Sequence, residues 1–393
     1  LAQANERGAL YIAPHKTTPP ANAAPQHSAG ANRHPEYNAP RSSAKTAATP
    51  WCGTVHPRAD KESIMNMSCS PTTAPIVEKA LSGIAMSFDE CVHLLSLPET
   101  SSDAAIVRGA ADRLSRSTFS GGMIQGQIGI DFLPCVADCK FCSFAKSHTA
   151  FELIQMDEAD LVGHIEGFTS CSSPLAALFL MAHHEFDYDF LLQSIATAKQ
   201  HIPASTKLVL NIGDFTRQQA EELHAAGVTG IYHVLRLREG IDTQLTKDDR
   251  IATIENLKEA GLDWYYCCEP IGPEHSNEEL AEQILLGAQF SCYQHAAMRR
   301  INFDHSPLIA NGSITELRMG NILSVARLAM ADNTELTSMA VHEPCVTGLL
   351  SGANTVYAES GGNPRDTSEE TSEGRGRNLD DCAEMLRDAS WSI

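Results

Sequence analysis

The chain has 393 residues, 43% of them hydrophobic and 20% charged, an ordinary composition for a protein with a sizeable core. It has no run of about 18 apolar residues to form a membrane-spanning helix, no heptad array and no solenoid repeat. A formal net charge of −20 argues against nucleic acid or an anionic membrane as partner, since both repel an acidic surface.

Residues 1–66 differ from the rest. They hold 8 of the 19 prolines and 14 alanines, and they are net +3 where the remainder is net −23. Their aliphatic residues are too scattered to bury a face that offsets ordering entropy, so a disordered N-terminal tail is predicted. The chain opens on Leu, and upstream read-through before a start at Met65 or Met67 explains the segment as well as a processed leader does. Few acids and many alanines and serines also give it the flavour of an organelle transit peptide. The expected compartment is the cytoplasm, with organelle import left open.

Residues 72–393 are expected to form one domain. Helical spacing over 74–98 and 103–118 predicts two lead-in helices within 72–118. Strand and helix signals then alternate. Predicted strands are Ile124–Phe132, Ala177–Met181, Lys207–Ile212, Gly230–Leu235, Asp263–Cys268, Arg300–Phe303, Leu336–Val341 and Thr355–Ala358. Predicted helices cover 157–168, 187–201, 216–226, 249–260, 276–287, 314–331 and 380–389. Several begin at a capping residue such as Thr216 or Ser276, and two end on a glycine, Gly227 or Gly261. Eight such units over about 270 residues fit an α/β fold of the (β/α)8 TIM-barrel type, closed by a C-terminal segment over 335–393. A six-strand open sheet is the alternative. In either case the chemistry belongs at the carboxyl ends of the strands.

The cysteines carry the clearest signal. There are 12, and in a chain of this length without a secretory signal they read as reduced thiols or metal ligands. Three fall directly after the first strand, at Cys135, Cys139 and Cys142. A structural zinc site needs four closed ligands, usually with a second C-x2-C, and none exists. A fourth ligand such as His148 would have to complete it. Three thiolates on one loop suit a [4Fe–4S] cluster with one iron left open.

The C-x3-C-x2-C spacing, with Phe141 before the last cysteine and a first strand before the loop, resembles the radical S-adenosylmethionine (SAM) enzymes. That resemblance implies SAM chelated on the open iron and reductively split to a 5′-deoxyadenosyl radical, which abstracts hydrogen from a small-molecule substrate. It also implies an electron donor such as flavodoxin or ferredoxin. Residues 268–274 resemble the family's G-x-I-x-G-x-x-E segment in its Ile-Gly-x-Glu half, with Cys or Glu in place of the first glycine, which makes Ile271 and Glu269 SAM-binding candidates. Arg236, Arg238 and Glu239 end the fourth strand, where relatives contact the SAM carboxylate and ribose. Arg236 is the first choice, because a guanidinium fork matches a carboxylate. Met181, His183 and His184 end the second strand, at the SAM amino group of relatives. Alternation along a strand allows only one of the two histidines to face inward. Asn211 and Asp214 are mouth candidates without a motif.

Segments from about residue 90 to 390, including 215–227, Tyr232, the helix over 250–260 and 349–356, resemble the biotin synthase group. This group also includes aromatic amino acid lyases, a hydrogenase maturase and methylornithine synthase. Biotin synthase inserts sulfur from a second, [2Fe–2S] cluster held by inner-strand cysteines and an arginine. The corresponding positions here are Leu180 or Met181, Val209 or Leu210, Cys267 or Cys268, and Ser338 or Met339. One possible ligand of four makes a second cluster doubtful. Lyase, mutase or methylating chemistry therefore stands close behind a biotin-synthase-like reaction, with lipoate-synthase-like and hydrogenase-cofactor outcomes as further alternatives. A non-catalytic iron–sulfur or zinc scaffold is the reading from a different class. Cys345 at the barrel mouth and Arg365 in the loop before the last helix are secondary candidates.

Overall fold

The computed structural model describes residues 69–149, 154–342, 345–359 and 377–393. The tail expected over 1–66 and Arg365 lie outside the described residues. Three helices lead in: α1 (Thr73–Leu81), α2 (Phe88–Leu95) and α3 (Ser102–Thr118). The helical run expected over 74–98 divides because Gly83 takes a left-handed φ of 73° and Ser87 starts a new helix through a capping box with Glu90. The lead-in helices pack on α8 (Asn277–Gln289) and α9 (Glu316–Ala329).

The sheet begins with β1 (Met123–Phe132), which pairs antiparallel near its end with the two-residue β2 (Ile154–Gln155). Parallel staves follow: β3 (Ala177–Ala182), β4 (Lys207–Asn211), β5 (Gly230–Tyr232), β6 (Asp263–Tyr265), β7 (Cys268–Ile271), β8 (Gln294–Arg299), β9 (Ser338–Val341) and β10 (Thr355–Glu359). Both β6 and β7 pair with β8, so they are two parts of one stave broken at Tyr266 and Cys267. Finally β10 pairs with β1, from Met123 opposite Thr355 to Gln127 opposite Glu359, and the ring of eight staves closes. Between the staves run α4 (Glu158–Thr169), α5 (Tyr188–His201), α6 (Arg217–Ala225), α7 (Lys247–Glu259), α8 and α9. After β9 come the short α10 (Val346–Leu349) and, last, α11 (Leu379–Asp388). The fold is the expected α/β barrel.

One strand lies elsewhere than expected. The segment Arg300–Phe303 is loop, and the stave is the preceding Gln294–Arg299. Its polar residues hid it: Gln294 points into the lumen, where it accepts from Gln125 (2.7 Å) and Ser338 (2.8 Å) and donates to Tyr357 (2.6 Å). Satisfied this way, a buried amide is tolerated within a strand.

Register defines the lumen. Gln127 sits opposite Phe179, Phe179 opposite Val209, Tyr232 opposite Tyr265, and Gln125 opposite Tyr357. Side chains directly opposite on parallel strands share a face, so these residues point inward together. Phe179 confirms it, meeting Tyr232, Tyr265 and Tyr357 edge-on at ring separations of 5.4 to 6.3 Å.

On the outer face of β8, His295 is fully buried against Tyr266, and burial pushes its pKa down to about 4. An unfolded histidine titrates near 6.5, so the unfolded chain gains the proton first as pH falls. The stability involved is complete above about pH 6.5 and is lost progressively toward pH 4, by about 3 kcal/mol. Urea denaturation of a His295→Gln variant is expected to show a flatter acid limb across that window. Equal slopes for both proteins would contradict this assignment.

Candidate functional site

All eight staves deliver their carboxyl ends to one rim, and the loop carrying the three cysteines leaves β1 there. It is folded on itself: Cys135 N donates to the Phe144 carbonyl (2.8 Å), Lys146 N to the Cys135 carbonyl (3.0 Å), and Cys142 N to the Cys139 carbonyl (3.0 Å). Asp138 takes a left-handed φ of 45°, and its carboxylate accepts from Ser147 N at 2.8 Å. The loop is also tied to two neighbours. Lys140 donates to the Ile241 carbonyl and the Asp242 carboxylate, and Ser306 Oγ donates to the Lys140 carbonyl. A small apolar cluster of Phe132, Phe144 and Met181 packs against Cys135 and Cys142, with the two phenyl rings stacked at 4.5 Å.

Two adjoining cavities open at this rim. One is lined by all three cysteines together with His183, His184 and Arg250; the other reaches toward Gln127, Tyr232, Glu269 and His342. Arg236 lines both. Its Nε lies 3.7 Å from Glu269, and its main-chain N–H donates to Glu239 at 2.9 Å. Burial opposes its charge, but Cys139 once ionised, with Glu269 and Glu239, outweighs that and pushes its pKa up. Glu269 is buried and accepts from the Tyr232 hydroxyl at 2.7 Å. Burial raises the pKa values of Cys135 and Cys139, partly countered by Arg236. They are protonated thiols in the free protein, and iron would displace their protons.

The donor set fits a cluster better than a single ion. Among the described residues, no three His, Cys, Asp or Glu side chains converge closely enough to hold one metal ion. Three cysteines that each take a different iron of a cube need no such convergence. His148 does not complete a zinc site: its ring nitrogens lie 3.0 Å from Ser147 Oγ and 2.8 Å from the Cys142 carbonyl.

The remaining candidates divide. Met181, Glu269 and Arg236 line the cavities, whereas the Ile271 side chain belongs to the main core. Arg238 turns outward to Glu279 (2.8 Å) and the Glu274 carbonyl (2.7 Å). Both His183 and His184 line the cysteine cavity, contrary to the alternation argument, because β3 ends at Ala182 and both lie in the turn beyond it. Asn211 lines both cavities, and Asp214 is held by Arg250 and Thr253. Cys345 caps α10, its sulfur accepting from Gly348 N at 3.3 Å. Sequence reasoning missed Arg300. It lines the larger cavity, is bound by Glu274 and donates to the Gly312 carbonyl at 2.8 Å. The misplaced strand concealed it.

A second cluster in the lumen does not fit. Of the inward positions among the described residues at that level, Phe179, Val209 and Ala340 cannot ligate. The space is filled by Phe179, Tyr232, Tyr265, Tyr357 and His342, the last stacked on Tyr357 at 4.0 Å.

No family model matches the chain. Among curated proteins it is similar to the biotin synthase of Rippkaea orientalis, 27% identical over 207 residues, which are 48% of this chain and 54% of that protein. The biotin synthase of Trichlorobacter lovleyi is 23% identical over 273 residues, 64% of this chain and 77% of that protein. The chain thus spans about half the length of the first of these relatives. Among solved structures, the FeFe-hydrogenase maturase HydG from Carboxydothermus hydrogenoformans superposes with a TM-score of 0.66 at 14% identity, covering 81% of this chain and 78% of that one. Methylornithine synthase (PylB) gives 0.67 at 14% identity, covering 80% and 96%. In sequence the chain is similar to biotin synthases, and in fold to the maturase HydG and to methylornithine synthase.

Tyr232→Phe removes the hydrogen bond that satisfies the buried Glu269 carboxylate. Chemical denaturation is expected to show a loss of about 2 kcal/mol. A variant as stable as the parent would show that the carboxylate finds another partner.

Proposed function

We propose that this chain is a radical SAM enzyme that begins its reaction by hydrogen abstraction from a small biosynthetic intermediate of a cofactor or amino-acid pathway. The observation that carries the reading is the cysteine loop opening, beside Arg236, into cavities at the carboxyl rim of a closed barrel. When bound there, a [4Fe–4S] cluster with SAM supplies one-electron cleavage of a carbon–sulfur bond.

Each residue then has a defined task. Cys135, Cys139 and Cys142 would hold three irons. Arg236 offers its guanidinium fork to the SAM carboxylate, and Glu269, fixed by Tyr232, orients that fork. Met181, with Phe132 and Phe144, keeps water from the cysteine side. Ile271 contributes main chain at the stave end, where its carbonyl accepts from Arg300 N at 2.7 Å. An electron donor of the flavodoxin or ferredoxin kind would reduce the cluster, and the chain would work in the cytoplasm. The aromatic filling of the lumen favours a lyase, mutase or methylating outcome over sulfur insertion from a second cluster.

The test is anaerobic reconstitution with iron and sulfide, followed by dithionite and SAM. About four irons per chain and release of 5′-deoxyadenosine are expected, both lost in Cys139→Ala. Zinc in place of iron with no SAM binding would sink the proposal and leave the scaffold reading. Arg236→Met should keep its iron and bind SAM roughly 10- to 100-fold more weakly, as loss of a charged hydrogen-bond pair predicts. Unchanged affinity in a binding titration would remove Arg236 from the SAM site.

A further inference from the structure

Two adjacent histidines line the cavity of the three cysteines, and their surroundings make them different groups. His183 is anchored to β1. Its main-chain N–H donates to the Asp131 carbonyl at 2.8 Å, and its Nδ1 lies 3.4 Å from that carbonyl oxygen and 3.4 Å from Asp131 Oδ2. Asp131 is 1% exposed, and the same Oδ2 accepts from Asp187 N at 3.2 Å. Both atoms facing Nδ1 are acceptors, so in the neutral ring Nδ1 carries the hydrogen and Nε2 the lone pair. That Nε2 is buried and has no hydrogen-bond partner. An acceptor behind one ring nitrogen makes the other more basic. Burial opposes a charge on His183, but Asp131 outweighs it and lifts the pKa above the ordinary histidine value.

The setting of His184 is the opposite. Its Nε2 lies 3.7 Å from Asp214, a carboxylate already taken by Arg250 (2.9 Å) and Thr253 (3.0 Å). Burial lowers the His184 pKa, and the Arg250 and Arg236 guanidinium groups add to that against the pull of Asp214. The two arginines lining the cavity keep their protons, and with iron bound the cysteines have none to exchange. His183 is then the base of this cavity.

We propose that His183, backed by Asp131, takes a proton from the α-ammonium group of SAM as SAM binds. The proposal rests on the radical SAM reading given above. An α-amino group in water titrates at about 7.7–8.0, so near neutral pH it is mostly ammonium. An ammonium nitrogen has no lone pair and cannot bind the open iron until it loses a proton. In the step the N–H bond breaks, its electron pair stays on the amine nitrogen, and the proton passes to Nε2. No oxidant or reductant is consumed, and the Asp131 carboxylate balances the imidazolium that forms.

The experiment is anaerobic titration calorimetry of SAM into the iron-loaded full chain at about pH 7.5, between the ordinary histidine and α-amine values. Two buffers of different ionisation enthalpy give the number of protons released per SAM bound. His183→Gln is expected to release up to about one proton more than the parent, because the ammonium proton then goes to the buffer. Asp131→Asn keeps the ring but removes the carboxylate, and is expected to shift the count the same way by less. A merely structural role for His183 would weaken SAM binding and leave the proton count unchanged, and that result overturns the proposal. If His183→Gln loses its iron, Asp131→Asn decides by the same count. A parent protein that takes up no iron, or binds no SAM, would overturn the radical SAM reading itself, a failure distinguishable from an unshifted count.

Discussion

Parallel hydrogen bonding between β1 and β10 closes the sheet on itself, and the site is a consequence of that closure. Every stave runs the same way around the ring, so every carboxyl end reaches one rim. The cysteine loop after β1, the histidine turn after β3, Asn211 at the end of β4, Arg236 after β5, Glu269 on β7 and Arg300 after β8 are distant in sequence. The ring brings them to one mouth. An open sheet of the same strands would spread them along an edge. Closure also fixes the lumen, because the register that pairs neighbouring staves decides which residue of each one points inward.

Charge at the mouth is arranged in pairs. Arg236 stands with Glu269 and Glu239, and Arg300 with Glu274. A buried cation without a partner costs several kcal/mol, so these carboxylates are what allow two guanidinium groups to line a cavity at all. The thiols face the opposite problem. Burial keeps Cys135 and Cys139 protonated, and a metal must displace those protons. Arg236 lies on the side where the resulting negative charge would develop. It offsets part of the cost of deprotonation, and its own charge is satisfied by carboxylates until then. One side chain thus connects the electrostatics of the two cavities.

The parts of this arrangement that were legible in the sequence are those written in local signals. Capping residues and apolar spacing placed the helices within a few residues, since Thr216, Ser276 and their partners at the third helical position act over a single turn. The cysteine spacing was legible because three ligands on one loop need no knowledge of the fold. What was hidden depends on long-range pairing. The β8 stave carries Gln294 and His295, which look like surface residues until Gln125, Ser338 and Tyr357 are seen to satisfy the glutamine from other staves. Arg300 was lost with it. The two histidines after Met181 were judged by strand alternation, which fails one residue past the end of a strand. Arg238 and Arg236 look alike in sequence, and only Glu279 on α8 draws one of them outward.

The likeness to biotin synthases and the contents of the lumen point in different directions, and the physics of a barrel explains how both hold. Stave ends and the loop after β1 are constrained by the chemistry at the rim, whereas the interior below it needs only to be filled at protein density. Here Phe179 meets aromatic rings from β5, β6 and β10, and Gln125, Gln294, Ser338 and Tyr357 close the layer through hydrogen bonds from four staves. Such a layer is rigid because Gln125, Gln294, Ser338 and Tyr357 bond to one another across strands, and opening it would leave further polar groups buried and unpaired. A substrate of the proposed reaction would therefore lie above the layer, between the aromatic floor and the cysteine loop. In that reaction the floor would set how deep a substrate sits and which of its atoms come within reach of the rim.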